Sequence, residues 1–229
     1  DGRVAIAKFP SPSKDEWDVI AWESVTLTLA REAGIDVPRS SLHRIDGRSV
    51  LIVDRFDRSA ELRIGYVSAM TMLEAGDGDQ GSYLEIADVI ERQSPNTAAD
   101  LAELWRRIAF TILVSNTDDH LRNHGFLYSG TQGWTLSPAY DLNPVPTDIR
   151  PRVLSTAILG GADRSAAMEL VYTAADHFGI GLDEARAIAR DVATAVARWR
   201  ATARVLGASK GECDRMASAF EHDDLATAS

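Results

Sequence analysis

The residues of this sequence that are best suited to chemistry lie in the stretch 115–144. Asp118, His120 and Asn123 follow one another closely, and Asp141 comes later in the same stretch. Carboxylate and amide oxygens can bind a divalent cation, and a carboxylate that binds no cation can accept a proton. We therefore expect a reaction that uses a metal ion, a proton acceptor or both.

The sequence between Asn123 and Asp141 predicts how these side chains meet. Two short apolar runs lie on either side of the glycine-containing turn 129–133, which is typical of a β-hairpin. Because a hairpin returns the chain to its starting point, Asp141 should lie near Asn123 and Asp118.

Three interpretations of this cluster are open, and the first is phosphoryl transfer from a nucleotide. That reaction needs a carboxylate to orient or deprotonate a hydroxyl, metal ions on the phosphates and a lysine on the phosphate oxygens. Asp118 would be the base, Asn123 and Asp141 the metal ligands, and Lys8 the phosphate contact. The spacing between Asp118 and Asn123 is that of the catalytic loop of protein kinases.

The second interpretation is a metal-dependent hydrolase, in which acids and histidines of the stretch would bind the metal: Asp118, Asp119, His120, His124 and Asp141. Against it, the sequence has no His-Glu-x-x-His helix. The third interpretation is structural, with Asn and Asp side chains that only cap helix ends and turns. The density of the cluster, the hairpin and the upstream lysine favour the first interpretation.

The composition is that of an ordinary globular protein of 229 residues, with 45% hydrophobic and 25% charged residues. Its formal net charge of −10 argues against wholesale nucleic-acid binding by this chain alone. The sequence has no apolar run long enough to span a bilayer and no signal-peptide pattern, so we expect no membrane partner. The single cysteine, Cys213, suits a reducing compartment, and we expect a cytoplasmic protein.

The first part of the chain predicts a small α+β unit that would carry Lys8. In order, the pattern predicts a strand at Val4–Phe9, a helix at Asp15–Ala33 and a hairpin with its turn at Asp46-Gly47. Glu23 lies on the predicted helix and could pair with Lys8.

The remainder of the chain predicts mostly helices. Their predicted ranges are 67–75, 83–93, 97–114, 168–178, 183–206 and 210–220, with a connection at 76–81 and a frayed tail at 221–229. The helix 97–114 is apolar on nearly every side in its C-terminal half, so that half should be buried. A buried helix end would hold the following loop rigidly.

Several motifs resemble those of HipA-like serine/threonine kinases, the toxin components of bacterial toxin–antitoxin pairs. Two segments closely resemble the catalytic and metal-binding motifs of that family: Asn116-Thr117-Asp118-Asp119-His120-Leu121-Arg122-Asn123-His124 and Pro138-Ala139-Tyr140-Asp141. The nucleotide-lysine strand resembles Ala7-Lys8-Phe9-Pro10, and the interlobe segment resembles Asp54-Arg55-Phe56-Asp57-Arg58. The resemblance extends from Ala5 to about Val196.

This resemblance implies roles for individual residues. Asp118 would be the catalytic base, with Asn123 and Asp141 on magnesium and Lys8 on the phosphates of ATP. The backbone of Asp54–Phe56, which includes Arg55, would hold the adenine. His120 and Tyr140 would line the nucleotide pocket.

The resemblance also implies a fold and partners. The expected fold is α+β and two-lobed like a protein kinase, with a truncated N-terminal lobe at 1–66 and a mostly helical C-terminal lobe at 67–229. Members typically transfer phosphate from ATP to a protein serine or threonine. Characterised members modify an aminoacyl-tRNA synthetase, and a DNA-binding HipB-like antitoxin neutralises them.

Family members carry a glycine- and serine-containing phosphate loop before the lysine strand, whereas this sequence starts at Asp1, seven residues before Lys8. We therefore expect a fragment or a truncated chain, with lower nucleotide affinity because the backbone donors of that loop are missing. Two alternative functions stay open. One is a non-catalytic nucleotide- or protein-binding member of the same fold, and the other is a small-molecule phosphotransferase of the antibiotic- or choline-kinase type.

Overall fold

The structure is a computed structural model that describes residues 4–11, 16–59, 62–76 and 78–229. Helices and small sheets are mixed along the chain. The strands are β1 (Ala5–Lys8), β2 (Ser40–Ile45), β3 (Arg48–Asp54), β4 (Arg58–Ser59), β5 (Leu62–Arg63), β6 (Tyr66–Ser68), β7 (Gly81–Ser82), β8 (Gly125–Tyr128), β9 (Trp134–Leu136) and β10 (Thr156–Ala157). The helices are α1 (Val19–Glu32), α2 (Ala69–Met72), α3 (Tyr83–Gln93), α4 (Thr97–Leu113), α5 (Met168–Ala174), α6 (Leu182–Val196), α7 (Trp199–Val205), α8 (Lys210–Phe220) and α9 (Asp223–Ala228).

An antiparallel sheet with the strand order β1-β3-β2 carries Lys8. Asp46 and Gly47 form the two-residue turn between β2 and β3, and both have positive φ angles, 48° and 76°. Asp-Gly sequences favour this mirror-image turn because its twist matches that of the flanking strands. The strand and the hairpin predicted for the first part of the chain are confirmed.

Helix α1 begins later than the sequence predicts. Asp15, the predicted first residue, lies outside the described residues, and 16–18 precede the helix. Asp18 Oδ1 accepts a hydrogen bond from the Ala21 N–H over 3.0 Å, which makes Val19 the first helical residue. The predicted boundary was wrong because Asp caps a helix start better than it continues a helix.

The helix predicted at 67–75 is wrong in its first part. Tyr66–Ser68 forms β6, which pairs antiparallel with β8, and α2 covers only Ala69–Met72. The Ala69 N–H donates to the His124 carbonyl over 2.7 Å. Pairing with a strand from a distant part of the chain overrides the local helical pattern. Within the predicted connection 76–81, Asp77 lies outside the described residues.

The helix predicted at 183–206 is two helices, α6 and α7. Trp199, at the start of α7, is buried, and its ring stacks on the ring of Phe220 with 4.6 Å between centroids. The Trp22 ring of α1 lies 6.0 Å from the Trp199 ring. The break between α6 and α7 places Trp199 in this aromatic cluster. Contacts between residues that are distant in the sequence stabilise the break, so local patterns did not predict it.

The predicted frayed tail is wrong, because 223–228 form α9. Asp224 is buried, and its Oδ1 accepts a hydrogen bond from the Met168 N–H over 2.7 Å. Its Oδ2 pairs with Arg152 Nη1 over 2.5 Å. These contacts fix the end of the chain to the start of α5.

Helix α4 is the central helix of the core and agrees with its prediction within one residue. Trp105, Ile108, Phe110 and Leu113 have no exposed surface. The loop that follows α4 therefore starts from a fully buried helix end. Within the described part of the chain, no helix combines the length and hydropathy that a bilayer crossing requires.

Candidate active site

The predicted hairpin is formed by β8 and β9. Phe126 lies opposite Leu136, and a 3₁₀ turn at Gly130–Gln132 joins the two strands. The pairing continues past the strands, because the Ser137 N–H donates to the Gly125 carbonyl over 2.8 Å. The hairpin therefore brings the chain back to the end of the loop that precedes it, as predicted.

The loop after α4 is also joined to the segment that follows the hairpin. Ser115 has a φ angle of 52°, which turns the chain sharply, and its carbonyl accepts a hydrogen bond from the Val145 N–H over 3.1 Å. Asn116 Oδ1 accepts one from the Asn143 N–H over 3.3 Å. The hairpin thus lies between two polypeptide segments that are bound to each other.

Asp118 is exposed in this loop, where its carboxylate is accessible to a proton donor. Its backbone carbonyl accepts hydrogen bonds from the His120 N–H over 3.0 Å and from Asn123 Nδ2 over 3.3 Å. An amide that donates through its nitrogen keeps an oxygen acceptor. Asn123 can therefore fix the position of Asp118 and still offer an oxygen to a cation.

Asp141 joins the segment after the hairpin to the N-terminal sheet. Its Oδ1 accepts hydrogen bonds from Lys8 Nζ over 2.9 Å and from Asn143 Nδ2 over 3.0 Å. Lys8 Nζ also pairs with Glu23 Oε1 over 2.6 Å, which confirms the predicted contact between α1 and β1. Glu23, Lys8 and Asp141 form a chain of charges from α1 to the second half of the protein.

The charge of Lys8 is stabilised by this arrangement. Burial alone would lower the pKa of Lys8, but the charges of Glu23 and Asp141 and their hydrogen bonds outweigh it, so that the pKa is raised. Lys8 is therefore cationic at neutral pH, as an amine that contacts phosphate oxygens must be.

An apolar cavity of about 240 Å³ opens beside Lys8. Its lining includes the predicted nucleotide-contacting residues Lys8, Asp54, Arg55, Phe56 and Tyr140. Two backbone N–H groups of the interlobe segment are already bound, that of Asp54 to the Arg39 carbonyl and that of Arg55 to the Val4 carbonyl.

Tyr66, which the sequence analysis did not single out, also lines this cavity. Its hydroxyl lies 2.5 Å from the Tyr140 hydroxyl, and the Tyr140 hydroxyl lies 2.6 Å from the Arg122 carbonyl that accepts its hydrogen bond. Burial, followed by the contact with Tyr66, raises the pKa of Tyr140, and burial also raises the pKa of Tyr66, so both tyrosines are neutral. Sequence reasoning missed Tyr66 because its place in the cavity depends on the pairing of β6 with β8, where a Cβ at Gly125 would lie 2.3 Å from the Tyr66 ring.

His120 is in a different place from the other predicted nucleotide contacts. It lines a second cavity of about 530 Å³, together with Arg122, Ser155 and Arg164, and is not among the residues that line the apolar cavity. Its contribution to nucleotide binding stays a prediction.

The alternative hydrolase site is not supported by the geometry. His124 Nε2 lies 3.2 Å from Asp119 Oδ2, and both side chains are buried below the loop. Across the described ranges, no group of three or more His, Cys, Asp and Glu residues is arranged to hold a metal ion. The cation ligands expected at Asn123 and Asp141, one amide oxygen and one carboxylate oxygen, stay a prediction.

Similar solved structures have a kinase-like fold. HipA of Shewanella oneidensis MR-1, solved in a complex with HipB and its operator DNA, matches with a TM-score of 0.76 and 17% identity, over 98% of this chain and 57% of that chain. The proinflammatory kinase CtkA of Helicobacter pylori matches with a TM-score of 0.55 and 12% identity, over 95% of this chain and 90% of that chain.

Similar curated sequences are putative kinases. One from Haemophilus influenzae is 28% identical over 176 residues, which are 69% of this chain and 51% of that protein. Y4dM of Sinorhizobium fredii is 32% identical over 146 residues, 57% of this chain and 35% of that protein. The chain thus spans about half or less of the length of these relatives. The family model of the HipA-like C-terminal domain matches residues 1–199, and the chain belongs to this family of kinase-like proteins.

Proposed function

We propose that the protein is a serine/threonine protein kinase that uses ATP and magnesium. The observation that carries this proposal is the ion-pair chain from Glu23 through Lys8 to Asp141 beside the apolar cavity. Protein kinases need a lysine–glutamate pair and a metal-binding aspartate in place at the same time.

Each residue has a distinct task in this proposal. The apolar cavity holds the base of ATP against Phe56 and Tyr140, and Lys8 contacts the phosphates. Asp118, exposed in its loop, accepts the proton of the attacking hydroxyl. Magnesium, when bound, neutralises phosphate charge, and Asn123 and Asp141 are the residues that would hold it.

We also propose a biological role as the growth-arresting toxin of a type II toxin–antitoxin pair in the cytoplasm. HipA of Shewanella oneidensis assembles with HipB and operator DNA, and this supports a HipB-like partner for the present chain. Because the chain has a net charge of −10, contact with DNA would be made by that partner. An aminoacyl-tRNA synthetase is the proposed class of protein substrate.

The test is transfer of labelled phosphate from ATP to bacterial protein extract by the full-length protein. Asp118→Asn should reduce the rate by at least about 100-fold, because a positioned proton acceptor contributes that much or more. Asp214→Asn, which removes an exposed charge on α8, is the matched control and should keep full activity. Full activity of a folded Asp118→Asn variant would contradict the assignment of the base.

The two alternative functions give different results in parallel assays. Absence of ATP binding in calorimetry with magnesium would favour the non-catalytic member of the fold. Turnover of small hydroxylated acceptors, with no labelling of protein, would favour the small-molecule phosphotransferase.

A further inference from the structure

A network of buried polar side chains lies directly below the loop that carries Asp118. Asp119 Oδ2 accepts a hydrogen bond from the Tyr83 hydroxyl over 2.6 Å, and it lies 3.2 Å from His124 Nε2 and 3.4 Å from Thr111 Oγ1. Tyr83 has no exposed surface, and Asp119 is only 3% exposed. A buried carboxylate is costly unless several donors surround it, so this network must be kept intact for the loop to fold as it does.

The backbone of the same loop is held from a second direction. Thr156 Oγ1 donates a hydrogen bond to the Asp119 carbonyl over 2.6 Å, and the Ser155 N–H donates to the Thr117 carbonyl over 3.0 Å. The neighbours of Asp118 are therefore both held in place. Thr117 is bound through its backbone carbonyl, and Asp119 is bound through its side chain and its backbone carbonyl. Asp118 itself is exposed, and its carbonyl accepts the hydrogen bonds from His120 and Asn123 that hold it in the loop.

We propose that Asp119 is a positioning residue for Asp118, and that Tyr83 and Thr156 act through it. This inference rests on the proposed function, since it concerns the step in which Asp118 accepts a proton. A displacement of about 1 Å in a reacting group can reduce a rate about 100-fold, whereas the binding of a nucleotide in a separate cavity is much less sensitive. Asp119 is buried and takes no part in the proton transfer itself.

The network makes a specific kinetic prediction. Tyr83→Phe removes only the hydroxyl that binds Asp119, and Thr156→Val removes only the hydroxyl that binds its carbonyl. Each variant should lower kcat at least about tenfold, with KM for ATP changed by less than about twofold. Loss of folded protein would not give this result in active-site-titrated samples, because each remaining folded molecule would keep the wild-type kcat.

Matched variants control for the loss of a hydroxyl. Tyr172→Phe removes a tyrosine hydroxyl on α5, whose hydrogen bond to the Thr227 carbonyl is long at 3.5 Å. It should leave kcat unchanged. Thr156→Ser keeps the hydroxyl and should retain most of the wild-type kcat, which a loss caused only by packing would not allow.

The assay uses the full-length protein with ATP, magnesium and bacterial protein extract. If the wild type transfers phosphate and kcat of Tyr83→Phe or Thr156→Val stays within about twofold of it, this inference is overturned and the proposed function stands. If the wild type transfers no phosphate to any acceptor, the proposed function fails and the inference fails with it. Hydrogen exchange of the loop 115–124 gives a readout without catalysis, and faster exchange in Tyr83→Phe than in Tyr172→Phe is expected.

Discussion

Asp141 combines an unusual backbone conformation with hydrogen bonds from two other side chains of the site. Its φ angle of 59° lies in the left-handed region, which Asp tolerates at a cost of about 1 kcal/mol. Hydrogen bonds from Lys8 and Asn143 to its Oδ1 keep the side chain in place. Because one oxygen is bound in this way, a cation that takes Asp141 as a ligand would use the other oxygen or displace Lys8.

Asp141→Ala should weaken the magnesium-dependent part of ATP binding. The variant removes a carboxylate ligand. The factor by which magnesium increases the affinity for ATP should therefore be at least about tenfold smaller than in the wild type. Calorimetric titration of ATP with and without magnesium measures this, with Asp214→Ala as the surface control. The same affinities as the wild type under both conditions would count against the ligand role.

Glu23→Gln should weaken both stability and phosphate transfer. Glu23 is 3% exposed, and its loss leaves Lys8 with Asp141 as the partner that also serves as a cation ligand. We expect the free energy of unfolding to fall by about 1–3 kcal/mol, because Lys8 then donates to a neutral amide oxygen instead of a carboxylate in a buried place. Urea unfolding and the transfer assay check this, and Glu91→Gln on the exposed side of α3 should change neither.

At the scale of elements, the sequence predicted those helices and turns that depend on neighbouring residues. The hairpin β8–β9, the Asp46-Gly47 turn and α4 were predicted because turn residues and apolar periodicity act over a few residues. The sequence did not predict β6 or α9, since each is stabilised by partners from elsewhere in the chain. For the site, motif residues could be named in advance, but Tyr66 and the network around Asp119 depend on tertiary contacts.

Gly125→Ala tests how closely β6 and β8 approach each other. A Cβ at this position would lie 2.3 Å from the Tyr66 ring, so the ring or the strand must move. We expect a loss of about 1–3 kcal/mol in the free energy of unfolding, the usual range for overpacking. Gly211→Ala, where a Cβ on α8 meets no atom within 4 Å, should instead stabilise the protein by about 0.5–1 kcal/mol. Equal stabilities for the two variants would contradict this description of the strand pair.

At the scale of the whole molecule, Asp119 makes stability depend on pH. Burial alone would raise its pKa, but His124 and the hydrogen bonds from His124, Tyr83 and Thr111 outweigh it, so that the pKa lies below its ordinary value of 3.8. The unfolded chain therefore binds a proton at Asp119 at a higher pH than the folded protein does. Stability from this residue is complete above the unfolded value and is lost as the pH falls through the folded pKa.

Asp119→Asn should reduce this acid sensitivity. We expect a lower free energy of unfolding at pH 7, by about 1–3 kcal/mol, and a shallower decline below about pH 4 than in the wild type. Urea unfolding at several pH values measures both, with the exposed Asp88→Asn variant as the control. An unchanged decline would mean that other carboxylates account for acid unfolding.

The hydroxyl chain from Tyr66 through Tyr140 to the Arg122 carbonyl has a practical consequence for spectroscopy. The protein has five tyrosines and five tryptophans. Tyr66 and Tyr140 line the apolar cavity, while Trp22 and Trp199 pack together in the helical core. Fluorotyrosine resonances should therefore respond to an occupant of the cavity, whereas the emission of the tryptophan pair should follow the melting of the core.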